Sequence, residues 1–266
     1  MLQVNDISKT FNRGTVNDKL AIDRLSLTLE AGEYVTLIGG NGAGKSTLLS
    51  CIAGVHSIDG GHISIDGSDV TKMAEHERAY LLGRVFQDPM MGTAADMSIE
   101  ENLALANRRG EKRTLRCGIT VGEREMFQRE LSFLELGLEA RMTSKVGLLS
   151  GGQRQALTLL MATIQRPKLL LLDEHTAALD PKTAARVQEL SDKIIEENKL
   201  TAMMVTHNMR AAIRHGNRMI MMSAGKIILD VKGEEKKSLT VENLLARFHD
   251  AAGGDDTVSD RMILGA

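Results

Sequence analysis

Apolar runs along the chain predict a sheet with a buried centre. Residues 35–38, 169–172 and 202–205 are almost wholly apolar, and such continuity is typical of parallel strands covered on both faces. Residues 25–29 instead alternate leucine with polar residues, which is the pattern of a half-buried strand. Together with further short strands over residues 1–33, these runs predict an α/β fold.

Between about residues 98 and 165 the pattern becomes helical. Capping boxes, in which Ser or Thr is followed three positions later by Glu or Gln, mark helix starts and occur at Ser98, Thr120 and Ser150. Phe127 and Leu131 then have the spacing of one helix face. The sequence therefore predicts an inserted helical region between the strands.

The remaining segments are less regular. Residues 219–222 and 226–229 predict a hairpin, and residues 241–248 a short helix followed by a loose tail from Asp250. The basic run 108–116 predicts a solvated loop, with contact to a partner's acidic surface or to lipid headgroups as the alternative. Fifteen methionines predict a methionine-rich core, with adaptable contact surfaces as the alternative.

The chemistry begins at residues 39–47, Gly-Gly-Asn-Gly-Ala-Gly-Lys-Ser-Thr. They fit the phosphate-binding pattern G-x-x-x-x-G-K-[ST] and lie between a predicted strand and a helix-forming run, as that pattern requires. Glycines let backbone N–H groups and the helix N-terminus face phosphate oxygens. Lys45 adds a cation for the β- and γ-phosphates, and the Ser46 hydroxyl can ligate Mg²⁺. A glycine-rich turn with a surface lysine is the alternative, which this context disfavours.

Two further strands end in reactive side chains. Asp173 and Glu174 close the apolar strand 169–172. In phosphate-loop enzymes the first such acid holds Mg²⁺, directly or through water, and the second can polarise the attacking water. His207 ends the next predicted strand and is a candidate contact for the γ-phosphate or that water.

Three more positions are candidates for nucleotide contact or for helix capping. Ser150 begins a helix whose first turn contains two glycines, and bare N–H groups there predict an anion site. Asp180, followed by Pro181, predicts an N-cap and a first helical residue. Phe11 fits either a core position or a platform for stacking a purine, and the sequence leaves both open.

Composition narrows the class of protein. The net charge is −2, whereas nucleic-acid binders are usually basic. No apolar run approaches the roughly 18 residues of a membrane span. The N-terminus lacks the basic and apolar regions of a signal peptide, and the two cysteines give no disulfide framework. We therefore expect a cytosolic protein without nucleic-acid partners.

The ordered motifs resemble the ATP-binding subunit of an ABC transporter over about residues 1–230. The matching motifs are Walker A at 39–47, the Q-loop at Gln87, the signature motif at 149–153, Walker B at 169–173, the catalytic acid Glu174, the D-loop at 177–180 and the switch histidine His207. Phe11 matches the adenine-stacking aromatic. More narrowly, residues 86–93 and 173–180 resemble a bacterial group of uncharacterised or tryptophan/tyrosine-type uptake ATPases.

The resemblance implies a P-loop NTPase core with a mainly parallel sheet, an N-terminal antiparallel β subdomain and an inserted α-helical subdomain. It places the core at about 1–87 and 166–230 and the helical subdomain at about 88–165, all in one cassette. Residues 231–266 would be a C-terminal extension with a short helix and a loose tail.

The resemblance also implies site residues for ATP and Mg²⁺. Two chains would sandwich two ATP molecules head to tail. Catalysis would use Glu174, His207 and Lys45, and Mg²⁺ would be served by Ser46, Gln87 and Asp173. The residues expected to contact the nucleotide are Phe11, Gly39, Gly40, Asn41, Gly42, Ala43, Gly44, Lys45, Ser46, Thr47, Gln87, Ser150, Gly151, Gly152, Gln153 and Asp180.

The implied partners are a second copy of the chain, integral-membrane permease subunits docking near residues 88–100, and an extracellular or periplasmic substrate-binding protein. The chain would then lie in the cytoplasm, on the inner face of the plasma membrane, and power uptake of a small solute such as an amino acid. A single-cassette ATPase outside transport, such as an iron–sulfur assembly type, and an exporter ATPase are the alternatives. His175 and Ala177 depart from the family's usual Pro and Ser, which leaves coupling at the dimer interface open.

Overall fold

The computed structural model describes residues 1–111 and 118–251. Its strands are β1 Leu2–Phe11, β2 Lys19–Leu29, β3 Tyr34–Gly39, β4 Gly60–Ile65, β5 Ser68–Asp69, β6 Leu82–Val85, β7 Leu169–Asp173, β8 Thr201–Val205, β9 Arg218–Ser223 and β10 Lys226–Lys232. Its helices are α1 Lys45–Ala53, α2 Glu75–Arg78, α3 Ile99–Asn107, α4 Val121–Phe133, α5 Gly151–Thr163, α6 Pro181–Glu197, α7 Met209–Arg214, α8 Glu234–Lys237 and α9 Val241–Ala251. Single 3₁₀ turns span Leu138–Ala140 and Val146–Leu148.

Two findings concern the limits of these elements. Residues 112–116 of the predicted loop 108–116, and the predicted tail beyond residue 251, lie outside the described residues. Within residues 1–111 and 118–251, no helix has the length and apolarity that a membrane crossing needs.

The chain forms two compact units, Met1–Arg78 with the chain from Lys199 onward, and Ala79–Asn198. The predicted subdomain limits stay a prediction.

The first unit holds two sheets. The N-terminal sheet has the strand order β2-β1-β4-β5, with every neighbouring pair antiparallel. In the second sheet β3 lies between β8 and β9 and is parallel to both, while β10 returns antiparallel beside β9. The predicted hairpin and the predicted buried strands at 35–38 and 202–205 are confirmed.

Methionine fills much of the core of the first unit. Met203, Met204, Met219, Met221 and Met222 are all buried, which confirms the prediction from composition. A cluster on one side of the sheet joins these strands to α7 and α9 through residues such as Leu244 and Phe248. An unbranched, polarizable side chain adapts to irregular gaps between strands and helices, so few aromatic residues are needed.

A buried arginine closes the C-terminal end of α1. Arg78 is 2% exposed, and its Nη1 donates to the carbonyl oxygens of Cys51 at 2.8 Å and Ile52 at 2.7 Å. Its Nε donates to the Met73 carbonyl oxygen at 3.0 Å. The last carbonyl oxygens of a helix lack the usual intrahelical donors, and a cation there also opposes the negative end of the helix dipole.

The second unit combines a parallel pair of strands with a helical layer. β6 and β7 pair in parallel with Leu82 opposite Leu169 and Val85 opposite Leu172. Helices α3, α4 and α5 share a core that includes Phe127. All three predicted capping boxes are confirmed, since each N-cap oxygen accepts from the N3 backbone and each N3 side chain accepts from the N-cap backbone. The predicted Asp180 cap and Pro181 start of α6 are also present.

Candidate active site

The phosphate loop between β3 and α1 has glycine where no other residue fits. Gly44 has φ +101, and a Cβ added there would lie 2.5 Å from the Ala21 carbonyl oxygen. A Cβ at Gly39 would collide with the Met222 carbonyl oxygen. Because the loop presses against β2 and β9, its backbone can only take this course without side chains at these two positions.

Lys45 and the start of α1 give this loop its charge. The Lys45 side chain is buried, and its Nζ donates to the carbonyl oxygens of Gly39 at 2.8 Å and Gly40 at 3.1 Å. Gly44, the N-cap of α1, has no side chain to accept from the first N–H groups of the helix. Open N–H groups at a helix N-terminus beside an ammonium form a site for an anion such as phosphate.

His207 is brought to the same sheet edge as this loop. Leu37 of β3 pairs with Val205 of β8 in parallel register, and the Thr206 N–H donates to the Leu37 carbonyl oxygen at 3.1 Å. Parallel neighbours have their carboxyl ends at one edge, where ligands of open α/β sheets bind. His207 therefore follows its strand where the phosphate loop follows β3.

Lys19, the strand partner of Phe11, lies close to the phosphate loop and was missed by the sequence analysis. Phe11 is half-buried, meets the His56 ring edge-on with a centroid distance of 5.2 Å, and lies opposite Lys19 across β1 and β2. The Lys19 Nζ lies 3.5 Å from the position of a Cβ at Gly42. No motif contains Lys19, since only strand pairing brings it to the loop.

The second unit gathers the acids and Gln87 at one edge of the β6–β7 pair. Val85 and Leu172 are paired, so Asp173 at the end of β7 and Gln87 just past the end of β6 lie at neighbouring strand ends. Gln87 is exposed. The Arg84 Nη2 lies 3.6 Å from the Asp173 Oδ2. A carboxylate, an amide oxygen and an exposed position suit a hard cation that takes oxygen ligands.

Glu174 has an unusual backbone. Its φ is +47, in the left-handed region that residues other than glycine, asparagine and aspartate seldom adopt. Such a conformation costs about 1–3 kcal/mol and persists where the surrounding structure imposes it, often at active sites. Strand β7 ends at Asp173, and the chain leaves the extended conformation at Glu174.

The signature segment is a capped helix start with a close neighbour. The Gln153 N–H donates to Ser150 Oγ at 3.3 Å, and Gln153 Oε1 accepts from the Ser150 N–H at 3.2 Å. Gly152 is buried, and a Cβ there would collide with Thr183 Cγ2. The sequence predicts that something approaches these glycines; at Gly152 that neighbour is the first turn of α6. Gly151 is exposed.

Asp180 caps the helix that approaches Gly152. Hydrogen bonds from the side chain and backbone of Thr183 lower the pKa of the Asp180 carboxyl, so it is ionised at neutral pH. An open cavity of about 670 Å³ lies beside these two helix starts and has Lys182, Arg186 and Lys193 among its lining residues. The same lining includes Glu135 and Glu189, so cationic and acidic groups both lie near Ser150.

The His175 side chain is buried and contacts a helix of the same chain. It is 2% exposed, and its Nε2 lies 2.9 Å from Ser191 Oγ. Ser191 Oγ is also 2.9 Å from the Val187 carbonyl oxygen, to which it can give its only proton. The Nε2 of His175 is then the donor to Ser191, and this residue fastens the D-loop segment to α6.

The sequence of this chain matches a known protein family and named relatives. The family model described as ABC transporter matches residues 22–177. A "Tyrosine transport ATP-binding protein" of Clostridioides difficile (strain R20291) is 44% identical over 93% of this chain and 98% of its own. A "Phosphonates import ATP-binding protein PhnC" of Frankia casuarinae (strain DSM 45818 / CECT 9043 / HFP020203 / CcI3) is 34% identical over 79% and 84%.

A solved structure supports the fold. The ATP-binding cassette MJ0796, in a dimeric post-hydrolysis state bound to ADP and Pi, superimposes with a TM-score of 0.74 at 28% identity, covering 87% of this chain and 98% of that one. The predicted ABC ATPase fold and the predicted ATP hydrolysis are thereby confirmed. This chain belongs to the ABC transporter family, as an ATP-binding and ATP-hydrolysing subunit.

Proposed function

We propose that this chain drives a bacterial importer of a small solute such as an amino acid, from the inner face of the plasma membrane. Relatives named for the transport of tyrosine and the import of phosphonates support uptake as the direction. The 44% identity over nearly the whole chain favours an aromatic amino acid among the possible solutes.

The observation that carries the reaction is the pair of acids at the end of β7, where Asp173 is the last strand residue and Glu174 follows it with φ +47. Adjacent carboxylates at a strand end can serve two purposes at once. Asp173 would hold Mg²⁺, and Glu174 would accept a proton from the attacking water. Without the turn at Glu174, both carboxylates would belong to a regular strand and point to opposite faces of the sheet.

The residues present fit ATP and Mg²⁺. The uncapped start of α1 and the Lys45 ammonium suit the β- and γ-phosphates. The Ser46 hydroxyl, the Gln87 amide oxygen and the Asp173 carboxylate supply the oxygen ligands that Mg²⁺ takes along with phosphates. The metal would neutralise charge on the phosphate oxygens. Phe11 would stack on adenine.

Hydrolysis would proceed by in-line attack. Glu174 orients the water and takes its proton as the water oxygen bonds to the γ-phosphorus, and the bond to the β-phosphate oxygen breaks. Lys45 and His207 hold the γ-phosphate. Ser150 and Gly151 would contact the γ-phosphate bound to a second copy, which makes the complete site a property of the head-to-tail dimer.

The surface after Gln87 fits a membrane-embedded partner. Met90 is 43% exposed and Met91 is 70% exposed, in the segment 88–100 where we propose that permease subunits dock. Methionine adapts its shape to a partner helix at little cost, so an exposed pair is suited to docking. A substrate-binding protein would complete the importer.

The decisive variant is Glu174→Gln, which keeps size and hydrogen bonding but removes the base. We expect it to bind ATP, to accumulate as a dimer, and to hydrolyse ATP at least about 100-fold more slowly than the wild type. Single-turnover hydrolysis and size-exclusion chromatography with ATP measure both effects.

The matched control is Glu196→Gln, which makes the same charge change at an exposed position near the end of α6. It should retain the turnover of the wild type. Near-normal turnover in Glu174→Gln would remove this residue from the reaction and with it the assignment of the acidic pair.

Membrane association has its own experiment. Glu174→Gln protein with ATP, mixed with detergent-solubilised native membranes, should capture a multispanning permease, and thermal shifts of any co-purified binding protein with tyrosine, tryptophan and phosphonates would then test the solute. Capture of a soluble scaffold instead would favour an ATPase outside transport.

A further inference from the structure

A fully buried amide joins the signature helix to the loop that contains Gln87. Gln155 of α5 is 0% exposed, and its Nε2 donates to the Phe86 carbonyl oxygen at 3.1 Å. That carbonyl belongs to the peptide unit whose nitrogen is the backbone nitrogen of Gln87. Because the peptide unit is planar, holding its oxygen also fixes the start of Gln87.

Helix α5 contacts the far end of the same loop one turn later. Thr158 is buried, and a Cβ at Gly92 would lie 2.6 Å from Thr158 Cγ2. Gln155 and Thr158 are three residues apart and share a helix face. The preceding residue, Arg154, also contacts the loop: its Nη1 meets the Met90 sulfur, and its Nη2 donates to the Leu149 carbonyl oxygen at 3.1 Å.

The other half of the Gln155 amide is unsatisfied. Among the described residues, its Oε1 is buried without a hydrogen-bond partner. A buried acceptor without a donor destabilises a fold, and an apolar side chain of similar shape would avoid that loss. An apolar residue would in turn leave the Phe86 carbonyl without this donor. The gain and the loss in stability therefore oppose each other, and the distinctive property of the amide is its one directed contact with the Gln87 loop.

We propose that Gln155 is a positioning residue that makes the Gln87 loop move as one body with the signature helix. The inference rests on the proposed roles of Gln87 at Mg²⁺ and of Ser150 at the second copy's γ-phosphate. Ser150 begins α5 and Gln155 lies within its next turn. Engagement of Ser150 by the partner's nucleotide is thereby passed to Gln87 in the chain's own site and to the Met90 surface beside it.

The test uses Gln155→Met, which keeps length and volume but removes both polar atoms. We expect the Mg²⁺ concentration that half-activates ATP hydrolysis to rise on the order of 10-fold, as for residues that orient metal ligands. The thermal midpoint should change little, because removal of the unpaired Oε1 offsets the loss of the hydrogen bond to the Phe86 carbonyl. Gln155→Glu, which turns carboxylate oxygens toward the Phe86 carbonyl, should raise the Mg²⁺ requirement further.

Gln188→Met is the matched control. Gln188 is also a buried glutamine of this unit, but its Nε2 donates to Asp192 on its own helix. The Mg²⁺ requirement of this variant should equal that of the wild type. A lower thermal midpoint in Gln155→Met with an unchanged Mg²⁺ requirement would reduce Gln155 to a packing residue and overturn the inference.

Two further variants separate this inference from the function on which it rests. If Gln87→Ala leaves the Mg²⁺ requirement unchanged, the proposed role of Gln87 fails. If Gln87→Ala raises it and Gln155→Met does not, only the role of Gln155 fails. At the other end of the loop, Thr158→Ser removes the methyl group that faces Gly92 and should raise the Mg²⁺ requirement, whereas Thr158→Val retains a methyl there and should not.

Discussion

The two helices proposed to face phosphate, α1 and α5, begin in opposite ways. The N-cap of α1 is Gly44, in a left-handed conformation and with no side chain to accept from the first N–H groups. The N-cap of α5 is Ser150, whose hydroxyl accepts from the Gln153 N–H in a complete capping box. Neither helix has an acidic residue in its first turn, so both keep the positive end of the helix dipole available to an anion.

The difference matches the source of each phosphate in the proposed dimer. Helix α1 meets the nucleotide of its own chain, and leaving its N–H groups uncapped lets phosphate oxygens act as the cap. Helix α5 meets a nucleotide on the second copy and is exposed to water before the copies join. Before the copies join, the Ser150 side chain accepts from an N–H group of the first turn of α5. The Ser150 hydroxyl can still donate its proton to an incoming phosphate.

The C-terminal ends of the two helices are more alike. Arg78 donates to two carbonyl oxygens in the last turn of α1, and Arg109 Nη2 donates to the Ala162 carbonyl oxygen near the end of α5 at 3.2 Å. Burial lowers the pKa of both guanidinium groups. The two guanidinium groups differ in their hydrogen bonding, because Arg109 Nε is buried without a partner among the described residues.

The largest effect should come from giving α1 a side chain at its N-cap. In Gly44→Ala the Cβ would lie 2.5 Å from the Ala21 carbonyl oxygen at φ +101, and a strained backbone of this kind costs about 1–3 kcal/mol. Because the loop must shift, we expect ATP hydrolysis to fall on the order of 100-fold. Calorimetric unfolding and steady-state hydrolysis measure the two losses.

Gly40→Ala is the comparison for that variant. Gly40 lies in the same loop, but a Cβ there meets nothing within 4 Å and its φ is not positive. It should unfold at the temperature of the wild type. An equal loss of stability in both variants would show that the loop tolerates no added methyl group anywhere, which would contradict the special role of the Gly44 position.

These two helix starts also show what the sequence could predict. The phosphate-loop pattern and the capping boxes are local, and both helix starts were found from a few neighbouring residues. Arg78 and Lys19 belong to no pattern, because each acts on a residue at least 20 positions away in the chain. The burial of His175 likewise could not be predicted locally, because its hydrogen-bond partner Ser191 lies 16 positions away on α6. Motifs of neighbouring residues could be predicted from the sequence, whereas contacts between residues distant in the chain were found only in the structure.

The next effect should separate the two C-terminal arginines. We expect Arg78→Met to lower the free energy of unfolding by about 3 kcal/mol, because hydrogen bonds to a charged group are worth about 1.5–3 kcal/mol each and the Ile52 carbonyl loses its charged donor. Arg109→Met should cost only about 1 kcal/mol, since it loses one such bond together with an unpaired Nε. Urea unfolding of both variants gives the ratio.

Arg13→Met controls for the loss of a positive charge in that series. Arg13 is exposed in the turn between β1 and β2, so its replacement should change stability by less than about 0.5 kcal/mol. Equal losses for Arg78→Met and Arg109→Met would mean that the number of satisfied carbonyls does not set the stability of these helix ends.

The smallest effect concerns the cap of α5. Ser150→Ala should lower the free energy of unfolding by about 1 kcal/mol, the usual cost of losing an N-cap, and it should also slow ATP hydrolysis because the hydroxyl that contacts the second copy's phosphate is gone. Thr120→Ala removes the same kind of capping box from α4 and should cost similar stability while leaving hydrolysis at the wild-type rate. If both variants hydrolyse ATP equally well, the Ser150 hydroxyl is only a cap, and α5 would meet phosphate through backbone N–H groups alone, as α1 does.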